Sequence, residues 1–197
     1  MKLAAIATNT FRETVRDKVL YNLVIFAVLL VGSSLLIGQL SISQDKKIIM
    51  DMGLSSMLVF GTLIAIFIGI GLVYKELDKR TVYSLLAKPI NRHEFILGKY
   101  CGLGLTLLVN SVVMAASVVI ALFYLQRGFD RLQWALLPAA YLIFLELVVI
   151  TALAMLFSSF SSPALSATFT FLLFVAGNFS GDFRVYAANS NSIENRR

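Results

Sequence analysis

Residues 132–181 read LQWALLPAAYLIFLELVVITALAMLFSSFSSPALSATFTFLLFVAGNFSG. These fifty residues lie between Arg131 and Asp182 and carry one charge, Glu146. The hydrocarbon core of a bilayer takes about 20 apolar helical residues, whereas fifty in one helix would extend about 75 Å at 1.5 Å per residue. The run therefore crosses more than once and has to turn. Its turn is written at Ser158–Ala164, SSFSSPA, where serines cluster ahead of a helix-breaking proline. Two spans follow, near 134–157 and 163–180.

Working outward, three further runs are charge-free at spanning length: 26 residues between Lys18 and Asp45, 23 between Asp51 and Lys75, and 27 between Lys99 and Arg127. They predict spans near 19–40, 53–74 and 100–125, making five in all. The whole chain is 58% hydrophobic and only 14% charged, where a soluble domain averages about 25% charged. A barrel would show short alternating segments rather than unbroken apolar runs. The expected class is an all-α integral membrane protein. The first run is too long for a cleaved signal peptide and lacks a small-x-small cleavage pattern, so it reads as a retained anchor. The single cysteine, Cys101, excludes an intramolecular disulfide and a cysteine-based metal cluster. The +6 formal charge reads as basic loops flanking membrane helices, with no nucleic-acid partner.

Basic residues also orient the chain. With the N-terminus in the cytoplasm, inner segments hold ten of the seventeen, namely Lys2, Arg12, Arg16, Lys18, Lys75, Lys79, Arg80, Lys88, Arg92 and Lys99. Outer segments hold the other seven, three of them in the tail, so the positive-inside rule favours an inner N-terminus and an outer C-terminus. Residues 1–18 read as an amphipathic interfacial helix. Leu3, Ile6, Ala7, Thr10, Phe11 and Val15 form its apolar face, and Lys2, Asn9, Arg12, Glu13, Arg16 and Asp17 the polar one. The segment Lys75–Tyr100 concentrates six bases and the only histidine. Within it, Thr81–Ala87 suits two helical turns with Val82, Leu85 and Leu86 on one side. Pro89 ends them, and Asn91 with Glu94 three residues on suits the cap of a following helix. A short helix displayed at the cytoplasmic surface fits a docking element; the competing reading is a solvated topology signal.

Chemistry-bearing motifs are few. FILGKY lacks the first glycine of a phosphate-binding loop. One histidine, His93, supplies neither a zinc site nor a Ser-His-Asp arrangement. Met50 and Met52 have soft-ligand spacing but read as packing, and Asn178–Ser180 (NFS) is a weak glycosylation match at a membrane edge. No catalytic residue, metal site or cofactor is predicted. Glu146 stands out, because an acid at mid-bilayer costs on the order of 2.5–3.5 kcal/mol on insertion scales. Asn110 falls at comparable depth in the neighbouring span, so Glu146 is expected to face another helix within hydrogen-bond reach of Asn110 or a nearby serine or threonine, serving either helix packing or a translocation path. Gly98-x-x-x-Gly102 and Gly69-x-Gly71 allow close helix approach.

Three blocks together resemble the permeases of type-2 ATP-binding-cassette (ABC) exporters, in particular the branch associated with multicopper-enzyme maturation. They are FRETVRDKVLYNLVIF at the first span, ELDKRTVYSLLAKPINRHEFILGKYCG after the second, and FSSFSSPALSA before the fifth. The resemblance covers most of the chain, and the middle block is the most specific. It implies a permease domain over 19–180 in the cell (inner) membrane, pairing with a second permease copy and with separate cytosolic ABC ATPase subunits. The ATPase activity would reside in those subunits and not in this chain. Residues 1–18 match the family's connecting helix. Thr81–Pro89 matches its coupling helix, which would engage the ATPase through Arg80, Val82, Leu85, Leu86, Lys88, Pro89, Arg92 and Glu94. Such permeases usually have six spans, whereas five precede the polar segment 181–197 here, so the resemblance leaves open a shortened architecture or a truncated chain. The alternative function is a nontransporting membrane scaffold or assembly factor.

Overall fold

The computed structural model describes residues 2–40, 45–78, 92–126 and 131–194. Among the described residues the chain is helical with no strand. Six helices follow in order: α1 (Lys2–Val15), α2 (Lys18–Leu40), α3 (Asp45–Asp78), α4 (Arg92–Gln126), α5 (Arg131–Ser158) and α6 (Pro163–Glu194). Four of them hold segments long and apolar enough to cross a bilayer, at Ile49–Tyr74, His93–Phe123, Leu136–Ser158 and Pro163–Ser180. In α2 the apolar stretch is Leu23–Ser33, which is shorter.

Two expectations about element ends are revised. The segment between the first two predicted spans, 41–52, is already helical from Asp45, so α3 begins eight residues ahead of the predicted span. Likewise the polar segment after residue 180 continues α6 to Glu194. Hydropathy marks where a helix meets water. It does not mark where the backbone stops being helical, because polar residues propagate a helix already nucleated in the membrane.

The bundle is organised around α3, which packs against α2, α4, α5 and α6. Its buried residues Met57, Ile64, Ala65, Ile66 and Ile70 join Ala27 of α2, Leu107 and Met114 of α4, and Leu147, Ile150 and Ala154 of α5 in one apolar core. A second cluster near the other end gathers Val31, Ile49, Val118, Leu122 and Leu136. Lipid tails are as apolar as leucine, so association in a bilayer relies on close van der Waals packing rather than on transfer out of water. Glycines of α3 supply it: a Cβ on Gly53 would meet Val118 at 2.6 Å, and one on Gly61 would meet Leu147 at 2.5 Å. Of the Gly69-x-Gly71 pair only Gly69 faces a neighbour, Ala154 of α5, while Gly71 meets nothing within 4 Å.

The α5–α6 turn falls in the serine cluster. Ser159–Ser162 leave the helix, and Pro163 opens α6, where its missing N–H costs nothing. Ser161 and Ser166 hydroxyls lie 2.9 Å apart, and the Ser166 hydroxyl donates to the Ser162 carbonyl at 3.0 Å. On the α5 side of the turn, the buried Ser158 hydroxyl donates to the Ile70 carbonyl at 3.4 Å, tying it to α3.

Candidate functional site

The segment 79–91 joins α3 to α4 and carries most of the predicted coupling residues. Arg80, Val82, Leu85, Leu86, Lys88 and Pro89 lie outside the described residues, as do the expected helix at Thr81–Ala87 and the Asn91 cap. The described site therefore begins at Arg92, the first residue of α4. Glu94 sits in that helix's first turn, where a carboxylate complements the positive end of the helix dipole. His93 is exposed at the same end, as befits a surface residue.

On these first turns of α4 lies α1. A Cβ on Gly98 would stand 2.9 Å from Ile6 Cβ. One on Gly102 would stand 2.6 Å from the Ala7 carbonyl oxygen and 2.7 Å from Thr10 Cβ. The Gly98-x-x-x-Gly102 pair is therefore the groove that receives α1. Ala7, Thr10 and Thr14, spaced three and four apart, form the buried stripe of α1. Their small size matches the glycines opposite, and the buried Thr14 hydroxyl donates to the Thr10 carbonyl at 2.8 Å. The larger apolar residues Ile6, Phe11 and Val15 are only half-buried, and Leu3 is exposed. The α1 helix is thus docked on protein along the stripe of Ala7, Thr10 and Thr14, with Ile6 at its border against Gly98. Between the two glycines, Lys99 is buried, with its ammonium 4.6 Å from the Phe95 ring centroid. Sequence reasoning counted Lys99 only as a topology charge. Its position between the two glycines was the signal that it belongs to a helix–helix contact.

Deeper in the membrane, the expected pairing of Glu146 with Asn110 is not what the structure shows. Glu146 Oε1 accepts a 3.2 Å hydrogen bond from Asn178 Nδ2 of α6, and Nδ2 also donates to the Phe174 carbonyl at 3.2 Å. Asn110 is buried on α4 in line with Leu103, Leu107 and Met114, and its Nδ2 has no hydrogen-bond partner. The reason is rotational. On α5, Thr151 shares the wall of a cavity of about 10 Å³ with Leu103, Thr106 and Leu107 of α4. At roughly 100° per residue, Thr151 stands about 140° around the helix from Glu146. Equal depth did not bring the two side chains to one face. The partner was legible in the hairpin itself, since Glu146 and Asn178 each lie sixteen positions from Ser162.

Two further buried hydroxyls, Thr62 and Ser111, also lack partners. Other helical hydroxyls, those of Ser56, Thr106, Thr151 and Thr170 among them, bond back to the carbonyl four residues earlier. Among the described residues no group of three or more His, Cys, Asp or Glu is placed to hold a metal ion.

Among the described residues the arrangement is a helix clamped to the start of a span, next to the charged segment 79–91 of the sequence. A search of curated protein sequences returns no match. The sequence model of the ABC-2 family transporter proteins, by contrast, matches residues 4–194, nearly the whole chain. It takes in the clamped α1, the connection and every spanning segment, and this multi-pass membrane protein therefore belongs to the ABC-2 transporter family.

Proposed function

We propose that the chain is the membrane half of an ATP-driven exporter, receiving motion from a separate cytosolic ABC ATPase through residues 79–91 and converting it into substrate translocation. The observation that carries this reading is the seam between α1 and α4. Because α4 leaves directly from the charged connection and α1 is packed on its first turns, a push on the connection would move both helices together. The charge distribution supports the same orientation: ten of seventeen bases fall on the side of that connection, making it cytoplasmic. In this reading α2 is the fifth crossing, the membrane is the cell membrane, and a second copy completes the permease. The resemblance of the three sequence blocks supports the maturation-permease branch without naming a substrate.

The test is association with the ATPase. Buried apolar anchors carry most of the affinity of an interface, while rim charges mostly set rate and orientation. Leu85→Asp together with Leu86→Asp should release the ATPase in a pulldown while the chain still inserts, since neither residue belongs to a span. Neutralising Arg80 should weaken association modestly and in a salt-dependent way. Undiminished ATPase binding by the double variant removes the connection from the coupling role. Failure of any ATPase to copurify with the wild-type chain favours the second reading, a nontransporting scaffold. Reporter fusions check orientation: one after Arg197 should read as extracytoplasmic and one within 79–91 as cytoplasmic.

A further inference from the structure

The outer flank of the α5–α6 hairpin presents polar groups where only hydrocarbon would otherwise lie. Glu146 is near the middle of the Leu136–Ser158 span, and its exposed hydrogen bond with Asn178 puts that residue at the same depth, not at the membrane edge expected for it. Around it Leu142, Leu145 and Val149 of α5 and Phe171 of α6 are exposed as well. The apolar residues alone would suit lipid. A carboxyl–amide pair at that depth does not, because polar groups within spans face protein or water and act as glue between helices.

The hydrogen-bond inventory specifies the occupant. Asn178 directs its amide nitrogen to Glu146 and to the Phe174 carbonyl, leaving its own carbonyl oxygen as an acceptor. In its acid form Glu146 offers one O–H donor beyond the bond it accepts. One donor and one acceptor side by side are complementary to the same pair turned through a two-fold axis: Glu146 of each copy donates to the partner's Asn178. Isologous contacts of that kind are how identical subunits close into dimers.

We propose that this flank, centred on Glu146 and Asn178, is the seam on which a second copy of the chain docks. The proposal rests on the reading of the chain as one half of a paired permease and locates the contact. It is tested on the full chain in lipid vesicles, with Cys101→Ala removing the native thiol. Single cysteines are then introduced at Leu142→Cys or Val149→Cys on the flank and at Val112→Cys, an exposed position on α4, and treated with a short membrane-permeant bismaleimide. Covalent dimers from the flank positions and none from Val112→Cys are expected. In the otherwise native chain, Glu146→Leu with Asn178→Leu should raise the dimer dissociation constant about tenfold, equivalent to ~1.4 kcal/mol. Glu146→Gln, which keeps a donor and an acceptor, should leave it within about twofold. Dimers that cross-link through Val112→Cys alone overturn the seam while leaving the pairing intact. A chain that remains monomeric in single-molecule mass measurement overturns the pairing itself. Cross-linking in the chain that keeps both polar residues does not depend on how the leucine variants fold.

Discussion

The seam between α1 and α4 and the outer flank of the α5–α6 hairpin are built from opposite materials. At the seam, two glycines bring backbones together, small residues fill the stripe, and a lysine is buried between them. At the flank, large apolar side chains stand exposed around a polar pair. The spanning window of α3 is 56% buried within the bundle and that of α6 only 11%. The difference teaches where the packing of this chain is closed and where its side chains stay exposed. Close backbone approach supplies contact in a medium that offers no hydrophobic drive between helices. A side of the molecule without it depends on what it meets next.

The sharpest way to break that contrast is to fill the groove. Gly102→Leu would force a side chain into the Ala7 backbone, which cannot yield as a flexible side chain would. Overpacking of this kind costs about 1–3 kcal/mol and sometimes more. The expected outcome is displacement of α1, read as new trypsin cleavage at Arg12 and Arg16 and as a lower unfolding midpoint in detergent. Gly104→Leu, on the same helix with nothing within 4 Å, should change neither reading beyond about 0.5 kcal/mol. If both variants behave alike, the groove is not what holds α1.

A smaller effect, of opposite sign, is expected inside the bundle. Asn110 holds an unpaired amide nitrogen within a leucine and methionine stripe, and an unsatisfied buried group costs about 1–3 kcal/mol. Asn110→Leu should therefore stabilise the chain against unfolding by about 1 kcal/mol, and Thr62→Val by less. A clear loss of stability would show that these groups are bonded in the working protein. The smallest change belongs to the flank. Glu146→Gln should leave the unfolding midpoint almost unmoved, because glutamine still accepts from Asn178. Loss of transport by a folded, dimeric Glu146→Gln chain would assign the acid a role beyond helix contact.

Much of the architecture was legible from residues alone. Charge-free runs announce apolar helices because hydropathy is a sum over a local window, and the serine cluster before Pro163 announces the hairpin because proline and serine act on their own backbone. The pattern of α1 likewise separated Arg12, Glu13 and Arg16 from Ala7 and Thr10. What the window sum missed were ends: α3 starting at Asp45 and α6 continuing to Glu194, where helix persists in polar sequence.

The choice of partners belonged to the tertiary structure. Gly98 and Gly102 were readable as a close-approach motif, but not as the bed of α1 rather than of another span. Glu146 and Asn110 were readable as equal in depth, but depth is a coordinate along the membrane normal and a hydrogen bond also needs rotation about each helix axis. That rotation is set by which ridges and glycines interlock, as Gly61 does with Leu147, and it turned Glu146 toward Asn178. Local sequence determined that these helices form and that four of them are apolar enough to cross a bilayer. Packing between segments distant in the chain decided which faces they share, because only in three dimensions do those faces compete for the same neighbour.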